Sequence, residues 1–555
     1  MTGRLCAAFA LGFLVGCGAK GTDSKAENAA PSGLFRDVTS SLGLDFESHR
    51  RFTGRYELPE IMGSGLAVFD ADGDGRMDIY VLSAGSGKSE ASPNVLFLRN
   101  EKGGFRRAKE SGLEDPGYGT GVAVGDVDND GDVDVYVGNW GEDRLYLNDG
   151  EGHFHPSAQR GFGGDAWTTS VAMFDADGDG FLDVWAVHYV EPDPEKACTL
   201  RAGARDFCSP KVYRPVADAL YLNRGDGTFD DVSRLAGLSA APRNGLGITI
   251  SDFNRDGRPD VFVANDGQAN QLWIQQGNGR FEDQGMLLGC AVNGEGASEA
   301  SMGVALGDVD RDGDLDLFMT HLVDESHTLY LRDESGGFTD ATAEAGLQTA
   351  SLRRTGFGTV FFDVDLDGAL DLAVVNGRVS RGPLDASLTA DSPWNVYAER
   401  NQLFRGDGRG GFADTGALAG AFAGVARISR ALVPVDLDDD GDLDLLVTNT
   451  AGPLRAYENL TPPGRFLRIW VKDSKRKRVA IGARVLVVTD RDRFPAEVGT
   501  GASYLSSWET PLHFGLGAAT KVSRIDVTWP GGVKESFGPF DVNRTVVLVT
   551  GEGRR

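Results

Sequence analysis

Seven short stretches of this chain set carboxylates at alternate positions around a glycine, in the pattern Asp-x-Asp-x-Asp-Gly-x-x-Asp. Acidic side chains this close repel one another, so each stretch calls for a cation. Hard oxygen donors on a short flexible loop suit Ca²⁺. Positions one, three and five should turn side-chain oxygens inward, position seven should offer its backbone carbonyl, and position nine should close the site with both carboxylate oxygens. Glycine at position six supplies the sharp turn. The expected ligands are Asp70, Asp72, Asp74, Arg76 (carbonyl) and Asp78; Asp126, Asp128, Asp130, Asp132 (carbonyl) and Asp134; and Asp175, Asp177, Asp179, Phe181 (carbonyl) and Asp183. They continue with Asp252, Asn254, Asp256, Arg258 (carbonyl) and Asp260; Asp308, Asp310, Asp312, Asp314 (carbonyl) and Asp316; Asp363, Asp365, Asp367, Ala369 (carbonyl) and Asp371; and Asp436, Asp438, Asp440, Asp442 (carbonyl) and Asp444. Only the fourth copy departs from the acidic pattern, with Asn254 at position three. Up to seven structural Ca²⁺ ions are therefore expected.

These loops need strands to position them. An EF-hand closes on a glutamate at position twelve and sits between helices. Here aspartate closes at nine, and the flanks, such as Gly121–Gly125 before a loop and Val133–Val137 after it, are short and β-rich. Each loop should be the turn of a β-hairpin. After the hairpin comes a Leu-aromatic-Leu strand, a Gly-x-Gly-x-Phe turn and a last strand, and the unit recurs about every 50 residues. Four strands per unit at that period is the pattern of a β-propeller blade. The last unit lacks its own fourth strand, whereas Gly33–Thr39 supplies one ahead of the first loop. That N-terminal strand is expected to complete the last blade and close the ring.

Two further regularities fit. Five residues before each loop stands Gly65, Gly121, Ser170, Gly247, Gly303, Gly358 or Ala431, all small, as crowded innermost strands require. Five residues after each closing aspartate stands Ser83, Asn139, His188, Asn265, His321, Asn376 or Asn449, a polar ring expected on the opposite face.

A net charge of −27 on 555 residues matches the acidity of the loops and argues against nucleic acid as a partner. The N-terminus carries Arg4, an apolar run from Leu5 to Val15, and then Leu14-Val15-Gly16-Cys17, which resembles a bacterial lipobox with Cys17 as the lipidated residue. Residues 18–32 are small and polar, a tether. The run is too short to span a bilayer, so the membrane is reached through the lipid anchor alone, and the body is expected to be exported at the bacterial cell envelope. In such a compartment Cys198 and Cys208, close together in one insertion, are expected to pair, leaving Cys290 as a buried thiol.

The repeats resemble the FG-GAP (VCBS-type) repeats of integrin α-chain propellers. After Asn459 the chain changes character. Val479–Val485, Gly499–Ser507, Leu512–Gly517 and Val527–Gly532 resemble the ASPIC/UnbV domain. Propeller followed by that domain is the architecture of the cartilage acidic protein family and its bacterial relatives. The expected fold is all-β: a signal segment at 1–17, a tether at 18–32, a seven-bladed propeller with integrin-α-like calcium loops at 33–460, and a small β-sandwich or barrel at 461–555.

The leading expectation is a calcium-stiffened, lipid-anchored propeller that binds an extracellular protein or glycan. The alternatives are a hydrolase or lyase with its site on the non-calcium face, where the polar ring would supply acid and base groups, and a structural or assembly protein. Two insertions, from His188 to about Asp218 and from Asn376 to about Asn401, should lie on that face as recognition loops. His513 and Trp529 are expected in the core of the C-terminal domain, and the basic run Lys472–Arg478 in a solvated turn. A transition-metal site between His188 and His321 is a remoter option. Arg224-Gly225-Asp226 and Arg405-Gly406-Asp407 fall at strand turns rather than forming attachment motifs, and Gly85–Ser89 lacks the upstream glycine of a phosphate loop.

Overall fold

The acidic loops do form hairpin turns. In the first, Leu66–Phe69 runs antiparallel to Asp78–Val81, with Phe69 opposite Asp78. In each of the seven, the closing aspartate is the first residue of the returning strand. The computed structural model describes residues 33–48, 52–84, 92–193, 195–200, 203–499 and 503–555. The signal segment with Cys17, the tether and Gly85–Ser89 lie outside the described residues.

The hairpins extend into seven antiparallel four-stranded arrays, one of which gains a fifth strand described below. The first strands are Leu66–Phe69, Gly119–Gly125, Thr168–Phe174, Gly245–Ser251, Val304–Gly307, Gly356–Phe362 and Ser429–Val435. Each touches the next in chain order, and the last touches the first, so they ring a common axis. This is a β-propeller. Phe35–Asp37 pairs with Arg455–Asn459, so the N-terminal strand completes the last sheet as expected and leaves no open seam. The glycines of the inner strands are there for room. A Cβ on Gly121 would stand 1.5 Å from the Thr169 carbonyl oxygen of the next sheet, and one on Gly303 would stand 2.1 Å from that of Phe357.

Beyond Asn459 two sheets face each other, one built on Phe466–Lys472 and the other on Arg484–Thr489 and Lys521–Thr528. Leu467, Ile469, Val487, Ile525, Val527 and Leu548 fill the space between them. The expected sandwich is present, and it packs with the propeller in one compact unit, Gly33–Arg555.

The reason is a segment that leaves the sandwich. Ser503–Trp508, expected within the C-terminal domain, runs inside the propeller ring. Ser507 and Trp508 pair in parallel with Ala67 and Val68 of the first sheet. Ser503 exchanges backbone hydrogen bonds of 2.6 and 3.0 Å with Val304 of the fifth sheet. Its hydroxyl accepts from the Thr359 amide at 3.1 Å. The Leu505 amide donates to the Ser170 hydroxyl at 3.2 Å, and the Ser507 hydroxyl accepts from the Val124 amide at 3.2 Å. Inner propeller strands present unpaired amides and carbonyls to the axis, and burying those without partners is costly. A serine-rich segment satisfies them from the centre.

The opposite face is closed as well. The two insertions, expected as free recognition loops, pack on one another. Asp206 accepts from the Tyr397 hydroxyl at 2.7 Å and the Arg381 amide at 2.9 Å, and Phe207 stacks on Trp394 at 6.5 Å between ring centres. Cys198 and Cys208 are disulfide-bonded, and Cys290 is free and buried. With the short helix Pro59–Met62 these segments form an apolar cap that also contains Tyr504 and Leu505. Among the described residues, no helix is long and apolar enough to cross a membrane.

Candidate metal centres

Each loop is held open by its own backbone. Position six is a glycine with φ between +85° and +110° in all seven copies. Position four is left-handed too, a feature the repeat pattern did not signal. It is glycine only at Gly73 and Gly178; elsewhere it is Asn129, Arg255, Arg311, Leu366 and Asp439, with φ near +60°. A left-handed non-glycine residue costs on the order of 1–2 kcal/mol, so something must hold these five in place.

Within this frame, positions one, three and nine converge. Asp70, Asp72 and Asp78 bring one oxygen each within 4.8 Å of the others. So do Asp126, Asp128 and Asp134; Asp175, Asp177 and Asp183; Asp308, Asp310 and Asp316; and Asp363, Asp365 and Asp371. Position five behaves differently from expectation. Its Oδ1 accepts from the amide of position seven, as between Asp74 and Arg76 at 2.9 Å, Asp179 and Phe181 at 2.8 Å, and Asp440 and Asp442 at 3.1 Å. Its first task is to shape the turn, which leaves the other oxygen for a ligand. In the fourth loop the Asn254 side-chain amide donates to Asp256 at 2.9 Å.

The closing aspartate carries a load of its own. Asp183 accepts from the Ala176 amide at 2.6 Å with one oxygen and from the Asn223 amide at 2.8 Å with the other. Asp78 does the same with Ala71 and Arg99, and Asp444 with Leu437 and Asn459. This residue therefore ties its loop to the third strand of its sheet, beyond closing the acidic cluster.

The carboxylates fit a cation. Oδ1 of Asp72, Asp126, Asp308, Asp365 and Asp436 is buried without a hydrogen-bond partner. Burial pushes Asp183, Asp316 and Asp363 up to about 8 and Asp78 to about 7, with neighbouring carboxylates adding to the rise. Such groups give up their protons more readily at neutral pH when positive charge enters the cluster. Some is supplied by arginine. Arg405 of the second Arg-Gly-Asp turn pairs with Asp365, which explains that tripeptide structurally, and Arg76 pairs with Asp74.

The loops also form the seat of the sandwich. Arg468 lies 2.6 Å from Asp436 and Arg484 3.5 Å from Asp252. Most of the basic run is the expected solvated turn, with Lys472, Lys475 and Lys477 exposed, but Arg478 at its end is buried, donating to Asn129 at 2.9 Å and to the Gly180 carbonyl at 3.0 Å. His513 is an interface group rather than a core one, with Nε2 on the Gly441 carbonyl at 2.8 Å and its ring stacked on Phe466. Trp529 is in the core, donating to the buried Glu535 at 3.1 Å. The signal for this seat was a lone basic run in a chain whose acidity is concentrated in its loops.

The polar ring on the far face is architectural. Amides of Ser83, Asn139, His188, Asn265, His321 and Asn376 are each capped by the residue that leads into the third strand: Asn94, Asp143, Asp218, Asn270, His327 and Asn401. His188 has its Nδ1 on the Ala217 carbonyl, and His321 sits beside His327 in another sheet, so the two histidines belong to separate caps. A cavity of about 270 Å³ is found on the side of the acidic loops, between the inner strands and the sandwich, where Leu306, Phe361, Phe494 and Trp508 line it with Asp308 and Asp363.

Comparison with known proteins agrees with this architecture. Residues 70–137, 126–186, 203–263 and 252–319 match the FG-GAP-like repeat, and residues 473–555 match ASPIC and UnbV. Cartilage acidic protein 1 of Mus musculus is 27% identical over 346 residues, 60% of this chain and 49% of that protein. That of Xenopus tropicalis is 26% identical over 494 residues, 86% of this chain and 63% of the relative. The chain thus spans about half to two-thirds of these two relatives' length. Among solved structures, an Agrocybe aegerita lectin with specific recognition of non-reducing terminal N-acetylglucosamine aligns at 15% identity and a TM-score of 0.37, over 65% of this chain and 84% of its own. The repeats, the terminal domain and the relatives together make this chain an FG-GAP-repeat protein with a C-terminal ASPIC and UnbV domain, homologous to cartilage acidic protein 1.

Proposed function

We propose that the protein is an exported, lipid-anchored propeller whose acidic loops hold structural calcium and which binds an extracellular protein or glycan. The observation that carries the calcium reading is the set of buried, unpartnered carboxylate oxygens at positions one and three, facing a third carboxylate within 4.8 Å. Oxygen-only donors on a turn suit a hard divalent cation. Bound there, calcium neutralises the cluster and lets position nine keep its two amide contacts. Sites of extracellular type have dissociation constants of about 10⁻⁴–10⁻³ M. Millimolar calcium then adds about 0.4–1.4 kcal/mol per site by mass action. Elemental analysis of purified protein should find calcium, and chelation should lower the melting temperature sharply. Protein free of calcium, or a melting temperature indifferent to chelator, would refute the reading.

Anchoring rests on the lipobox around Cys17, and Cys17→Ala should release the chain from the membrane fraction. The partner reading rests on a rigid ring with interlocked insertions on one face. Capture experiments with the calcium-loaded chain from Gly33 onward test it. The alternative of a hydrolase or lyase at the far axial mouth is less favoured by the apolar cap that Phe207, Trp394 and Tyr397 build there among the described residues.

A further inference from the structure

We infer that calcium occupancy and seating of the C-terminal sandwich are linked equilibria, each favouring the other. The inference rests on the calcium reading above and adds regulation of the same loops.

The argument is geometric. Cation and sandwich engage the same loops from different positions. The acidic cluster uses positions one, three and nine. The sandwich takes the left-handed backbone at positions four and six, and at two loops Arg468 and Arg484 also reach the position-one aspartates. Arg478 binds Asn129 at position four of the second loop and the Gly180 carbonyl at position six of the third. The Gly517 amide donates to the Leu366 carbonyl at position four of the sixth loop at 2.9 Å. His513 takes the Gly441 carbonyl at position six of the seventh. A Cβ on Gly441 would stand 1.9 Å from the Phe466 ring, and one on Gly368 would stand 3.1 Å from Phe494, so these rings require the glycine turn as it stands.

Leu366 holds left-handed backbone that such a residue adopts only under constraint, and Asn129 shares that backbone at less cost. A cation drawing positions one, three and nine together supplies that constraint. Repulsion among the carboxylates removes it. Loss of calcium should therefore deform the seat, loosen the sandwich and withdraw Ser503–Trp508 from the axis. By reciprocity, an unseated sandwich should leave the loops with weaker calcium affinity. Arg468 and Arg484 oppose a cation by charge at their two loops. His513 shares the seventh loop with Arg468 but touches only the loop's backbone, so replacing it alters the seat without altering the charge beside Asp436.

Hydrogen exchange on the native full chain, with millimolar calcium or with chelator, tests this directly. Chelation should speed exchange within 503–508 by about five-fold or more, the low end of ordinary coupling between sites, alongside faster exchange in the first acidic loop. Faster exchange in that loop with 503–508 unchanged would overturn the linkage and leave the calcium reading intact. No response anywhere, in protein without bound metal, would overturn the calcium reading itself. In the reciprocal direction, His513→Ala should weaken calcium binding by about five-fold in calorimetric titration, and His513→Gln, whose side-chain amide can still reach the Gly441 carbonyl, should restore it. Equal affinity in all three proteins would also overturn the linkage.

Discussion

The hydroxyl of Tyr504, carried by the C-terminal domain, donates to the carbonyl of Met62 at 3.1 Å, across the ring from the acidic loops. One side chain thus joins the sandwich, the propeller axis and the cap on the far face. Its ring lies 4.9 Å from that of Phe357.

Because Tyr504 is fully buried, its truncation should be felt by both domains. Tyr504→Ala should cost about 3–5 kcal/mol, as large-to-small core changes do. Tyr504→Phe, which loses the bond to Met62, should cost about 1 kcal/mol. Chemical denaturation should show one shared transition shifting in both variants. Two separated transitions in the native protein would mean that the sandwich and propeller fold independently.

The acidic positions should separate by role. In chelator, Asp78→Asn should destabilise by about 1–3 kcal/mol, because an amide cannot accept from both the Ala71 and Arg99 backbones. Asp72→Asn should leave the metal-free protein no less stable, since its buried Oδ1 has no partner to lose and repulsion from Asp74 is relieved. It should reduce the stability gained on adding calcium. Thermal melts of both variants with and without calcium check this, and equal behaviour would contradict the two roles.

Acid should loosen the far face. Burial pushes His321 and His327 down to about 3, so both are neutral in the folded chain. The unfolded chain binds these protons near pH 6.5. Stability from this pair is therefore present above pH 6.5 and lost as pH falls from there toward 3. His327→Asn places at this cap the residue found at Asn94, Asn270 and Asn401, and should flatten the loss measured by melting temperature against pH. An unaltered slope would assign the acid sensitivity elsewhere.

The cap depends on Asp206. Asp206→Ala removes the acceptor for the Tyr397 hydroxyl and the Arg381 amide, and buried donors left unpaired cost about 1–3 kcal/mol each. Limited proteolysis should then cut within residues 376–401 faster than in the native chain, with the acidic loops unaffected. Unchanged cleavage would show that the stacked Phe207 and Trp394 hold the cap alone.

By itself the sequence determined whatever is local and repeated. The acidic loops, the hairpins around them and the order of strands are written within a few residues of one another, because carboxylate repulsion, glycine turns and alternating apolar positions act over that distance. Ring closure was legible too, since the missing fourth strand and the spare N-terminal strand are two halves of one count. The left-handed residues at position four were not, because their side chains carry no common signature. The tertiary structure alone decided the fate of Ser503–Trp508, of Arg478 and of His513. Their partners lie far along the chain, 72 positions away for His513 and 383 for the hydrogen-bonded pair Val124 and Ser507. A serine-rich segment reads as a turn until an open axis lined with unpaired amides stands before it. A basic run reads as solvent-facing until acidic loops are gathered on one face of a ring.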